Sequence, residues 1–389
     1  MSDTGPETTC PARSLTRGRN LHNESAPLAI ESVYPVWQTF SGSDRIVSGN
    51  SAAHHTEGTM TSTRRHTPPL AAVLPLLAAL LAAPATAAGK PMKVYVLAGQ
   101  SNMEGQAVVD LDGKDYNDGK GTLVALLAEP TKAASLAHLK AANGTWRVRD
   151  DVWMWYQPEA APLQAGPLAV GYTVYGDQHH FGPELEFGHV VGEAVENEVL
   201  LVKTAWGGKS LFADFRPPSS GGKTGEYYTR MIAQVREAVG SIKARFPQSM
   251  ADGHELAGFV WYQGWNDGCD PQHAAREYEQ NLVNLINDVR RDLAAPELPV
   301  VVGELTGPWV DAPGGWAAVR TAQAATAARP EFQGNVVFVP THQFVRAAED
   351  SPNPGHGHHE FGNAETYFLV GEALGRAMLS LTPGAAQTP

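Results

Sequence analysis

The run Lys93-Val94-Tyr95-Val96-Leu97-Ala98, followed by Gly99-Gln100-Ser101-Asn102-Met103-Glu104-Gly105, decides the fold. A short, almost continuously apolar run rich in Val predicts a strand covered on both faces, the form that parallel strands take in α/β proteins. The turn behind it carries a serine between glycines. Such a serine has its hydroxyl at the upper edge of the sheet, with backbone N–H groups near enough to meet a developing oxyanion. Gly-x-Ser alone specifies little, because most serines in this place cap a helix. The reading depends on what stands at the other strand ends.

Four further runs have the same character: Val199 to Ala205, Ala257 to Tyr262, Pro299 to Gly303 and Val336 to Pro340. Between them apolar residues recur with the 3.6-residue helical period. These are Phe187, Val191, Ala194, Val195; Tyr228, Met231, Val235, Ala238, Ile242; Tyr278, Leu282, Leu285, Ile286, Val289, Leu293; and Tyr367, Val370, Leu374, Met378. The alternation predicts an α/β doubly wound fold, mainly a five-stranded parallel sheet flanked by helices as in the flavodoxin-like three-layer sandwich. Ligands of such sheets bind beyond the carboxyl ends of the strands. Residues from about 106 to 181 exceed an ordinary βα loop and are expected to form a long insertion, a subdomain or lid. Asp110, Asp112, Asp115, Asn117 and Asp118 cluster there without the spacing of an EF-hand, so a solvated turn is expected in place of a calcium site.

The chain of 389 residues is 43% hydrophobic and 18% charged, enough apolar material for a large core. A formal net charge of −12 disfavours nucleic acid or an anionic membrane as partner, since both require a basic surface. Residues 1–59 are polar and aperiodic, and read as a disordered or mis-assigned extension. From Met60 the text changes: Arg64 and Arg65, an apolar stretch from Leu70 to Ala83, then Ala85-Thr86-Ala87. That is the pattern of a secretory signal peptide over 60–88, too short and too proline-interrupted for a spanning helix. Met60 is therefore the expected start, and the remainder 89–389 is expected to be secreted or periplasmic without a stable membrane anchor. Of the two cysteines, Cys10 and Cys269, only Cys269 would then remain, as a thiol without an internal partner.

The later strand ends carry chemistry. The second run leads into Trp206-Gly207-Gly208-Lys209-Ser210. Gly-Lys-Ser invites a phosphate-loop reading, but Lys203 stands where that motif needs its first glycine. A glycine at this turn instead lets backbone approach a substrate closely, and Gly208 offers an N–H to an oxyanion. The third run ends in Gln263-Gly264-Trp265-Asn266-Asp267-Gly268, where Asn266 offers an amide donor and Gln263 can orient the neighbouring loop. After the fifth come His356-Gly357-His358-His359-Glu360-Phe361-Gly362-Asn363. Three histidines before a helix suit a metal, but without a metalloprotease-type carboxylate–histidine pattern a single base for the serine is favoured.

Together these loops resemble the SGNH hydrolases, and within them the sialate O-acetylesterase-like branch that includes acetylxylan esterases. The resemblance covers Pro91 to Leu381. It rests on Gly99 to Gly105, on Phe181-Gly182-Pro183-Glu184-Leu185, on Trp261-Tyr262-Gln263-Gly264, and on the stretch from His359 to Asn363-Ala364-Glu365-Thr366-Tyr367. By position it implies that Ser101 is the nucleophile, His359 the base, and Gly208 and Asn266, with the Ser101 N–H, the oxyanion donors. It implies an acyl-enzyme mechanism on an acetylated carbohydrate, with no cofactor. The triad acid departs from the pattern: His356 stands three residues before His359, and Trp265 stands where relatives place a Glu after Gln-Gly. Asp267, Glu304 and Asp350 remain, with Asp267 leading, or water or a backbone carbonyl orients the ring. Two alternatives stand beside this reading: a carbohydrate-binding protein without catalysis, and a metal-dependent hydrolase using His356, His358 and His359. Trp206, Trp265, Trp309 and Trp316 near strand ends would suit sugar stacking in any of them.

Overall fold

Strand β1 (Met92–Gly99) alternates Met92, Val94, Val96 and Ala98 into one apolar layer and Tyr95 and Leu97 into the other, all buried. A strand so covered requires helices on both faces of its sheet. The structure, a computed structural model, describes residues 89–307 and 314–382. The expected extension 1–59, the expected signal peptide 60–88 and Trp309 lie outside the described residues.

The further strands are β2 (Ala107–Val108), β3 (Val152–Tyr156), β4 (Gln164–Pro167), β5 (His180–Phe181), β6 (Val199–Ala205), β7 (His254–Tyr262), β8 (Val300–Gly303) and β9 (Val336–Val339). The main sheet runs β4-β3-β6-β1-β7-β8-β9, parallel throughout except where β4 pairs antiparallel with β3. Helices Glu226–Gly240, Ala274–Asp292 and Gly315–Ala327 cover the face of Val94 and Val96. Helices Glu184–Ala194 and Ala364–Ser380 cover the face of Tyr95 and Leu97. All five strands expected from sequence are present, in the doubly wound order β6-β1-β7-β8-β9. Gly99 pairs with Ala205 on one side and with Tyr262 on the other, so β1, β6 and β7 end at one level and release their loops along one edge.

The segment expected as a lid behaves differently. It adds β3 and β4 to the sheet, which is thus seven-stranded, and β3 pairs in register with β6 from Val152↔Val199 to Tyr156↔Lys203. At its neck β2 and β5 form a two-stranded antiparallel ladder. Gly105 (φ +103°) and Gly182 cross there back to back: a Cβ on Gly105 would come within 2.6 Å of Gly182 N. Only glycine permits that approach. Cys269 also departs from the expected unpartnered thiol, since it is not free.

The central polar feature of the sheet is Lys203, fully buried within β6. Its Nζ lies 2.7 Å from Glu184 Oε2 and donates to the carbonyls of Glu104 (2.9 Å) and Tyr172 (2.6 Å). Burial pushes the Glu184 carboxyl up and the Lys203 ammonium down, while their mutual attraction opposes both shifts. Removing one partner strands the other in the core. Lys203→Met is expected to cost about 3–5 kcal/mol in urea unfolding, and Lys203→Met with Glu184→Leu to recover part of that loss. A single variant as stable as the parent would show that the pair does not anchor the sheet.

Candidate active site

β1 ends at Gly99, and extended Gln100 (φ −115°, ψ −158°) turns the chain into the short helix Ser101–Glu104. Gln100 Oε1 accepts from the backbone N–H groups of Gly264 (3.0 Å) and Trp265 (2.9 Å), bolting the serine turn to the loop after β7. On the other flank Gly207 passes close by, where an added Cβ would sit 3.6 Å from Ser101 Cβ.

His359 Nε2 lies 3.0 Å from Ser101 Oγ. The imidazole comes from the turn Gly357–Gly362, in which Glu360 (φ +51°) and Phe361 (φ +55°) adopt left-handed backbone that non-glycine residues rarely enter. Burial, reinforced by the neighbouring His358 and His356, lowers the His359 pKa to about 3. The ring is therefore neutral at physiological pH, with Nε2 able to accept the serine proton. Tyr367, from the last helix, shares its hydroxyl proton between Asn102 Oδ1 (2.8 Å) and His359 O (3.2 Å). Asn102 Nδ2 donates to Glu360 Oε1 (3.2 Å) and His358 O (3.3 Å).

The other expected residues gather at the same edge. Gly208 (φ +69°) turns the chain after β6, and its carbonyl accepts from Asn266 Nδ2. Gln263 Nε2 donates to Lys209 O (2.9 Å) and to Asp267 Oδ2 (2.6 Å), and its Oε1 accepts from Tyr278 OH (3.0 Å). Asp267, expected to lead as triad acid, is turned away from the imidazole. Its carboxylate accepts from Leu211 N and Phe212 N, both at 2.9 Å, and burial pushes its pKa up to about 6. Glu304 is engaged by His342 Nδ1 (2.7 Å) and the Thr341 N–H (2.8 Å). Asp350 contributes its carbonyl to Asn363 Nδ2 at 3.3 Å. Among the described residues no carboxylate hydrogen-bonds or ion-pairs with the His359 ring, and no group of three or more His, Cys, Asp or Glu is placed to hold a metal ion. Trp206 is wholly buried, packed near Phe215 and Tyr227, and so belongs to the core, whereas Trp265 and Trp316 are half-buried with ring centroids 4.7 Å apart.

Sequence reasoning missed Asn102, Tyr367 and Gln100 as parts of the site. Asn102 and Gln100 flank the serine, and their carboxamides were the available signal. Tyr367 sits on the apolar period of its helix, where a tyrosine reads as core.

A family model described as carbohydrate esterase, sialic acid-specific acetylesterase, matches residues 91–380. A probable carbohydrate esterase of Arabidopsis thaliana is 24% identical over 214 residues, 54% of this chain and 68% of the relative. Among solved structures, an Arabidopsis thaliana protein is 20% identical at a TM-score of 0.47, over 75% of this chain and 98% of the other. A carbohydrate acetylesterase from Xanthomonas citri is 16% identical at a TM-score of 0.42, over 73% and 56% of the two chains.

The depressed pKa makes a signed prediction. Between the ordinary histidine value of about 6.5 and about 3, the unfolded chain binds a proton at His359 that the folded one refuses. The stability that His359 contributes above pH 6.5 is lost as pH falls through that window. In an NMR titration the His359 ring resonances are expected to show no inflection between pH 7 and 4.5. A midpoint near 6.5 would contradict the neutral imidazole.

Proposed function

The chain belongs to the sialic acid-specific acetylesterase family of carbohydrate esterases, and we propose that it hydrolyses acetyl esters on sugars with Ser101 as nucleophile and His359 as general base. The observation that carries this reading is the 3.0 Å approach of a neutral imidazole nitrogen to a serine hydroxyl at the carboxyl end of the central strand. Nε2 takes the Oγ proton as Oγ attacks the acetyl carbonyl. The oxyanion is met by the N–H groups of Ser101 and Gly208 and by the Asn266 amide, whose second N–H is not needed for Gly208 O. Collapse expels the sugar oxygen, which receives the proton from His359. Water then gives a proton to His359 and attacks the acetyl carbonyl, and the proton returns to Ser101 as acetate leaves. No cofactor enters these steps.

Ser101→Ala is expected to abolish acetate release from acetylated sugars with an unchanged circular dichroism spectrum, and His359→Ala to lose activity to a similar degree, because the two act as a unit. Asn266→Ala should lower turnover by about a hundred- to a thousandfold, the scale of one oxyanion donor. Near-normal turnover in folded Ser101→Ala would end the serine reading.

The signal pattern over 60–88 supports export, to the medium or the periplasm. Among the described residues no helix is long and apolar enough to cross a membrane. N-terminal sequencing of the exported protein is expected to begin near Ala88; a mature chain still carrying Ser51 to Gly58 would refute the start at Met60.

A further inference from the structure

A serine hydrolase needs its imidazole held in one orientation, a task that a carboxylate on the far ring nitrogen usually performs. Among the described residues no carboxylate hydrogen-bonds with the ring. We propose that the buried side chain of Glu360, joined to Asn102 and Tyr367, is the positioning device that takes this part, holding His359 on Ser101 through the backbone on either side of the imidazole. The inference rests on the serine–histidine reading above and adds the residue that keeps that pair in register.

The connectivity is specific. The two peptide carbonyls that flank the His359 side chain, those of His358 and His359, each accept a side-chain bond: from Asn102 Nδ2 at 3.3 Å and from the Tyr367 hydroxyl at 3.2 Å. Asn102 is the residue next to Ser101, so the element that displays the nucleophile also grips the turn that displays the base. What orients the Asn102 amide is its other bonds, from Nδ2 to Glu360 Oε1 at 3.2 Å and from Tyr367 OH to Oδ1 at 2.8 Å. Asn102, Glu360 and Tyr367 are all buried, at 5%, 1% and 1% exposure, so water does not compete for these bonds.

Backbone conformation points the same way. Glu360 and Phe361 are consecutive non-glycine residues at positive φ, a backbone conformation that is costly for any residue with a Cβ. Glycine at either place would remove that cost. A residue with a long polar side chain at a position shaped for glycine implies that the side chain itself is needed, and here it reaches back to the residue beside the nucleophile.

The charge state fits a neutral link. Glu360 faces Tyr262 from β7, Thr306 from the loop after β8, Tyr367 from the last helix and Asn102 from the serine turn, with no ion pair among them. Burial pushes its carboxyl up to about 8, against the pull of the Thr306 hydroxyl. A protonated carboxyl accepts from Asn102 without leaving a charge unpaired in the core. Gln has the same shape and the same acceptor oxygen.

The test compares Glu360→Gly, Glu360→Ala and Glu360→Gln on a small acetyl ester and on an acetylated sugar, with Ser101→Ala in parallel. Glu360→Gly relieves the left-handed strain, so it is expected to fold at least as stably as the parent and still lose about ten- to a hundredfold in kcat, with KM within twofold. That is the scale of a catalytic group misplaced by about 1 Å. Glu360→Ala should lose kcat to a similar extent, and Glu360→Gln should restore it to within a few-fold. A purely structural role would lower stability and leave kcat per folded molecule intact. Folded Glu360→Gly or Glu360→Ala with parental kcat, or Glu360→Gln as damaged as the alanine variant, would overturn the proposal. Activity surviving in Ser101→Ala would instead strike at the serine reading, a separately recognisable failure.

Discussion

A single ammonium group, Lys203 Nζ, sets the relation between the sheet and the serine turn. It stands fully buried in β6, where a lone charge would be intolerable, and it is accepted because three oxygens from three different segments converge on it. One belongs to Glu184, at the start of the helix that follows Pro183. One is the carbonyl of Tyr172, in the segment that returns from β4. The third is the carbonyl of Glu104, the last residue of the helix that begins with Ser101. The Ser101 turn is thereby tied to the middle of the neighbouring strand as well as to its own. The Glu104 side chain extends the same buried network, receiving Tyr156 OH at 3.2 Å while burial raises its pKa to about 7.

Around that anchor the strand-end loops are joined by fixed dipoles. Gln100 reaches from the β1 turn to the β7 loop, and Gln263 and Asp267 reach from the β7 loop to backbone groups of the β6 loop. Every one of these is a side chain satisfying a backbone N–H or C=O that a loop would otherwise present to water. This explains why carboxamides crowd these turns: each offers donor and acceptor together, so one residue can close a loop and fix its neighbour without importing net charge. An edge built in this way changes little when charge develops on a substrate, which is the condition for oxyanion stabilisation without reorganisation.

How much of this was legible in the sequence follows from the physics of each element. The five strands were readable because both their faces are covered, leaving nearly unbroken apolar runs. β3 has the same character in Val152-Trp153-Met154-Trp155-Tyr156, but the length of its surroundings directed the reading to a lid. β4, Gln164-Ala165-Gly166-Pro167, has no strand propensity at all and exists only because an edge position tolerates it. The helix Gly315–Ala327 was hidden by its alanines, which favour helix without marking a period. The approach of His359 to Ser101 agrees with what turn position and family spacing, which are local properties, lead one to expect. The partner of an imidazole is not local: Asp267 was sought as the carboxylate nearest the expected place, and only the three-dimensional arrangement shows it closing the β6 loop instead.

An imidazole with no carboxylate partner among the described residues, its pKa lowered by burial and by its histidine neighbours, is a weak base, and the proposed transfer of the serine proton needs a further source of free energy. The reaction supplies one. As Oγ would bond to the acetyl carbonyl, negative charge would develop on an oxygen a few ångströms from Nε2, in a partly buried site of lower dielectric than water. An opposite charge in such a place favours the protonated imidazole far more than it would in solvent. The burial that depresses the resting pKa therefore also strengthens the attraction that raises it as the oxyanion forms. In the proposed reaction the ring would accept the proton when the tetrahedral centre appears and give it up when that charge collapses onto the leaving sugar oxygen. What the protein would then have to provide is accuracy of placement, since the gain depends on the distance between imidazole and oxyanion, and placement is the part proposed for the bonds from Asn102 and Tyr367 to the His358 and His359 carbonyls.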